Sequence, residues 1–250
     1  MTYIPNAWDV ALATALIAGN FLLDLLFLVP LQRISSESIK FARRRAYFAL
    51  IVFLWLAAAC VCALWLIEKR EWTLLSLSPS LSWRFAVGLA LAGLCLVMIA
   101  SQRAALLRRA RSQPDRPISF GAALDALLPR TRREYRLFAQ AAVAAGICEE
   151  LLFRGFLLAL LTSYFGLLIG AAASVALFGL AHAYQGLAGV LRTGAFGAVA
   201  TIVVLGSGSL LPVIIAHVAI DLFAGDLGFR LLGDGRASSN TIQAGPIKGA

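Results

Sequence analysis

Stretches of about twenty apolar residues, each closed by a short polar or basic stretch, recur along this 250-residue chain. A helix needs that length to cross a hydrocarbon layer of roughly 30 Å at 1.5 Å per residue. The pattern predicts seven spans, at 8–30, 46–67, 84–101, 137–161, 166–185, 187–205 and 209–229. No period-two alternation is present, which argues against a β-barrel. The expected fold is all-α, a polytopic transmembrane helical bundle of about seven spans. Three spans with basic loops fill 1–136, a helical core fills 137–229, and a flexible tail rich in Gly, Ser and Asn fills 230–250. Within 102–136, the stretch Ile118–Arg136 places Phe120, Leu124, Leu127 and Leu128 at helical spacing among polar and basic residues. It predicts an amphipathic interfacial helix. For Arg103–Pro117 a disordered basic loop is the competing reading.

Composition agrees: 60% of the residues are hydrophobic and 14% charged. The net charge of +9 would suit nucleic acid, but its distribution argues otherwise. Five of the 22 basic residues lie in 31–45 and nine in 102–136, as in the inside-facing loops of membrane proteins. The bilayer, not nucleic acid, is the expected partner. The same rule places those loops in the cytosol, 68–83 and the N-terminus outside, and the C-terminus inside. Arginine outnumbers lysine 19 to 3, which leans toward a bacterial inner membrane. Trp8, Trp72 and Trp83 read as interfacial anchors. Met1–Val10 lacks a basic start, so the first span is expected to be kept. Cys60, Cys62, Cys95 and Cys148 read as small buried hydrophobes, not disulfides or a zinc site.

The polar residues inside the apolar stretches carry the chemistry. Glu149, Glu150 and Arg154 fall mid-span, where each ionised group costs roughly 2.5–3.5 kcal/mol on insertion scales. Glu150 and Arg154 are four apart and share a helix face, so they are expected to pair structurally. Glu149 points about 100° away and reads as the chemical group. The competing reading is one structural network of all three. Phe178 and His182 also share a face, as do His217 and Asp221. A carboxylate beside an imidazole fixes its tautomer. Glu149, His182, His217 and Asp221 together make a kit for activating water and stabilising an oxyanion. They are equally a zinc ligand set, although the His-Glu-x-x-His pattern that would demand metal is absent. Acids and histidines inside spans also mark ion pathways. A transporter predicts internal repeats and broken helices, and the chain shows no repeat; Pro212 is the one candidate break. Asp24, in the first span, is expected to snorkel or to pair with an arginine.

The ordered set Glu149-Glu150-x-x-x-Arg154, Phe178-x-x-x-His182 and His217-x-x-x-Asp221 resembles the three-motif signature of the CPBP family. That family comprises type-2 CAAX prenyl proteases and bacteriocin-processing or immunity proteins. The resemblance covers roughly 137–225. It implies a multi-helix intramembrane endopeptidase with a cavity open to the cytosol, acting on a membrane-presented peptide or protein. It implies Glu149 as general base, paired with His182 to activate water, and His217 as oxyanion stabiliser with the last position of the third motif. The commonest pattern has asparagine there. Asp221 donates no hydrogen bond unless protonated, so its expected role is to orient His217. Members are often classed as metalloproteases, which makes Glu149, His182 and His217 the metal candidates. The expectation is that no metal is strictly required, with zinc as the alternative. A non-catalytic immunity or scaffold protein is the family's other outcome. One mismatch stands: the predicted span ends put Glu149 and His217 about 18 Å from the cytosolic edge but His182 only about 5 Å from it.

Overall fold

The computed structural model describes residues 3–34, 38–77, 81–113, 116 and 118–233; most of the expected tail lies outside them. In chain order the helices are α1 (Ala7–Leu31), α2 (Ile39–Ile67), α3 (Trp83–Ser112), α4 (Ala122–Leu127), α5 (Arg132–Leu180), α6 (Gly186–Ser207) and α7 (Leu211–Leu232). Six helices are long and apolar enough to cross a membrane, and no strand occurs among the described residues. The molecule is a polytopic helical bundle.

Six long helices stand where seven spans were expected, because the fourth and fifth expected spans are the two arms of one element, α5. Gly166 sits at φ +76°, a conformation only glycine adopts without strain, and reverses the chain between arms 132–165 and 167–180. A Cβ on Gly170 would lie 2.5 Å from the backbone nitrogen of Thr162, so the second arm folds back tightly on the first. That second arm rises only about 21 Å, short of a full crossing. Its end, and His182 just beyond it, therefore stop inside the depth of the bundle. This removes the depth mismatch between the two histidines.

The basic region 102–136 departs from expectation. α3 continues as helix to Ser112, because Ala, Leu and Arg are strong helix formers, so Arg103–Ser112 is no disordered loop. The amphipathic helix expected over 118–136 is only the short α4. Pro129 ends it by holding Leu128 in extended backbone. Thr131 and Glu134 then form a capping box that starts α5. Pro212 breaks nothing; it lies in the first turn of α7, where its missing N–H is harmless. Trp8 and Trp83 face outward, but Trp72 packs on the core instead of anchoring an interface. Of the four free cysteines only Cys148 is buried, and Cys60 faces outward. A thiol facing lipid is still in an apolar medium, which is why hydropathy alone misplaces it.

The first arm of α5 packs between α2 and α7, with Trp65, Ala144, Cys148, Phe156, Val204 and Val213 in the shared core. Its approach to α7 needs Gly146, where a Cβ would meet Val218 Cγ2 at 2.4 Å and Val218 N at 2.8 Å. Three ion pairs tie distant segments together. Arg70 grips Asp9 with two bonds of 2.5 and 2.9 Å, which hold the guanidinium above its usual pKa range. Arg43 pairs with Glu134 at 3.2 Å, and Arg103 with Asp226 at 2.6 Å.

Candidate active site

Immediately after Glu150, α5 widens into a π-helical stretch, Leu151–Leu157. Such stretches disturb the regular hydrogen-bond ladder and gather at functional sites. Here the carbonyl of Phe153 accepts from Ser174 Oγ at 2.8 Å, which pins the returning arm to the wide turn. That contact carries Phe178 and His182 toward Glu149 and Glu150.

The expected Glu150–Arg154 pair forms, with Arg154 Nη1 donating to Glu150 Oε1 at 3.0 Å. Both side chains are almost wholly buried. The guanidinium carbon lies 3.8 Å from the centre of the Phe178 ring, an attraction of cation for π face. Gly197 leaves the space: a Cβ there would come within 2.9 Å of Arg154 Nη2. Phe178 also touches His182, with ring centres 4.9 Å apart, and His217, at 6.2 Å. The motif's aromatic residue is thus the wall shared by the cation and both imidazoles.

His217 is oriented by a residue that spacing did not nominate. Its Nδ1 lies 2.7 Å from Glu150 Oε1, and a carboxylate accepts from it, so Nδ1 carries the proton. Asp221, the expected orienting partner, is 3.8 Å from Nε2, too long for a hydrogen bond. Glu149 Oε2 is 4.0 Å from the same Nε2. Nε2 therefore faces the gap between Glu149 and Asp221. His182 is fixed by its own helix end: Nδ1 donates to the carbonyl of Phe178 at 2.9 Å, which leaves the Nε2 lone pair free.

Glu149, Phe178, His182, His217 and Asp221 line one cavity of about 310 Å³. It is bounded toward the arginine-rich end by Leu127, Leu128 and Tyr47, and at its side by Tyr184, Gln185 and Arg192. Tyr184, Gln185 and Arg192 had no marking in the sequence, since none sits at motif spacing. Glu149 Oε2 is buried and makes no hydrogen bond among the described residues; neither do Glu150 Oε2 and Arg154 Nη2. Buried polar atoms without partners are uncommon in folded proteins. On the far side of Glu149 lies a small apolar cavity bounded by Asn20, Phe53 and Phe156. Asp24 occupies another π-helical stretch, Asp24–Leu28, and is 7% exposed. It forms no ion pair with an arginine among the described residues, contrary to one expectation, and its side chain is turned into the protein and not toward an interface.

The metal candidates fit poorly. Among the described residues, no three His, Cys, Asp or Glu side chains are grouped to hold an ion.

These elements define a class, an integral membrane protein whose polar groups are gathered in the interior of a helical bundle. The family model described as "Type II CAAX prenyl endopeptidase Rce1-like" matches residues 132–223, which spans α5, α6 and the motif-bearing part of α7. That segment of the chain is similar to the family of CAAX-type intramembrane proteases. No curated protein and no solved structure matches it.

Proposed function

We propose that the protein hydrolyses a peptide bond near the end of a membrane-presented peptide or protein, using water activated by Glu149 and His182. The observation that carries this reading is the convergence on one cavity of Glu149 from the first arm of α5, His182 from just past its second arm, and His217 and Asp221 from α7. Water between Glu149 and the free Nε2 of His182 gives its proton to Glu149 as its oxygen attacks the scissile carbonyl. The carbonyl π electrons move to oxygen, and His217, as an imidazolium whose Nδ1–H is held by Glu150, donates its Nε2–H to that oxyanion. Collapse expels the amine, which takes the proton from Glu149. No step uses a metal. Activity is expected to survive exhaustive chelation, and restoration of chelator-killed activity by stoichiometric zinc would overturn that part.

Arg192 stands exposed at the cavity rim and forms no ion pair among the described residues. It is suited to hold a carboxylate, which favours a substrate cut near its C-terminal end. The arginine-rich loops support a cytosolic mouth in a bacterial inner membrane, with the N-terminus outside. Single cysteines at Ser76 and Ser112, in a cysteine-free background, test that orientation with an impermeant maleimide on intact cells. Only Ser76→Cys should react; labelling of Ser112→Cys from outside reverses it. The function itself is tested by comparing protein termini in cells carrying wild type or Glu149→Gln. Unprocessed termini should accumulate with the variant, and identical termini would leave a non-catalytic scaffold as the better reading.

A further inference from the structure

A second concavity, which the histidines do not line, lies between α1 and α2. α1 and α2 diverge to leave a groove of about 1080 Å³ that opens sideways, along the flank of the bundle. Leu22, Leu26, Phe48, Val52 and Leu56 make its walls apolar. One end differs in kind. Arg44 and Arg45, from the start of α2, and Arg133, from the first turn of α5, gather there. Arg45 and Arg133 are exposed and Arg44 is half-buried over the Phe41 ring at 4.8 Å. None of the three forms an ion pair among the described residues. Arg43, their neighbour, is fully paired with Glu134, so acidic partners were available to this segment and went elsewhere.

The dimensions decide what fits. From Arg45 to Leu56 α2 rises about 17 Å. One leaflet of a hydrocarbon core is about 15 Å deep. The groove thus runs for one leaflet, with guanidiniums at the level of the head groups and aliphatic walls at the level of the chains. A soluble anion would find the arginines but no use for the walls. A neutral lipid would find the walls but leave the guanidiniums unanswered. Planar guanidiniums match phosphate oxygens with paired donors. We propose that this groove is a binding site for one anionic phospholipid, its phosphate held by Arg44, Arg45 and Arg133 and its chain lying against α1 and α2. The inference is independent of the proteolytic reading.

The test uses the purified full chain in detergent, with phosphatidylglycerol and phosphatidylcholine of matched chains as probes and native mass spectrometry counting retained lipid. Wild type should retain phosphatidylglycerol over phosphatidylcholine by about tenfold, the ratio expected for losing a charge-assisted bond or two. Arg45→Gln with Arg133→Gln should bring the ratio near one without lowering the melting temperature, because both residues are exposed. Ala49→Trp, which fills the groove, should reduce retention of both lipids alike. Should that variant not fold, the arginine pair still decides the matter. Equal retention of the two lipids by wild type overturns the proposal, since it describes ordinary surrounding lipid. So does a preference that survives loss of the arginines, or one abolished by millimolar inorganic phosphate, which would mark a free-phosphate site.

Discussion

Among the described residues, Arg43–Glu134 and Arg154–Glu150 are carboxylate–guanidinium pairs with both members buried, and they are built to opposite ends. Between α2 and α5, Arg43 donates to Glu134 and to the carbonyl of Ala126, while Glu134 Oε2 accepts the backbone N–H groups of Arg130 and Thr131. Neither side chain leaves a buried polar atom unbonded among the described residues. In the cavity wall, Glu150 and Arg154 each keep one such atom, and Glu149 keeps another. The first network is closed and only holds helices together. The second is open, with spare hydrogen-bonding capacity beside two imidazoles. Burial of charge alone therefore does not mark a site; incomplete pairing next to titratable neighbours does.

The comparison breaks first at its closed member. Arg43→Met leaves Glu134 buried and alone, and should cost about 3–5 kcal/mol of stability. Adding Glu134→Leu should return all but the roughly 1 kcal/mol of the helix cap. Thermal unfolding in detergent measures both. The equivalent pair of changes at Arg154 and Glu150 should not restore activity, because Glu150 also holds His217. A smaller loss is expected at the crossing that sets the site's width. Gly146→Ala forces its Cβ against Val218 and should cost about 1–3 kcal/mol, with activity falling more than stability predicts. Arg192→Gln should raise KM by about tenfold and leave kcat nearly unchanged, since a carboxylate anchor binds ground and transition states alike. Asp221→Asn should act least. With Glu150 holding His217, peptide cleavage by this variant should stay close to wild type.

The reach of the sequence reading follows from what spacing registers. Apolar runs located the spans because the bilayer fixes their length. The Glu150–Arg154 pair was legible because its members are four apart on one helix. Glu150 and His217 are 67 residues apart, so spacing gave the orienting role to Asp221, the carboxylate four residues away on the same helix. Asp9–Arg70 and Arg43–Glu134 escaped for the same reason, being 61 and 91 residues apart. The gap between the expected spans 137–161 and 166–185 was legible, but not the hairpin at Gly166 with its short second arm. That arm, and not tilt, brings His182 to the cavity that Glu149 shares.

The assignment of chemistry to Glu149 and of scaffolding to Glu150 is the central claim, and one paired measurement tests it. Glu149→Gln and Glu150→Gln are purified from membranes, and each is assayed for cleavage of a processed substrate and for thermal unfolding. Glu149→Gln should melt with wild type and lose activity by about 10²–10⁴-fold, the worth of a general base. Glu150→Gln should melt well below both, as Arg154 and His217 lose their shared acceptor. A stable, inactive Glu150→Gln beside an unstable or active Glu149→Gln would contradict the account.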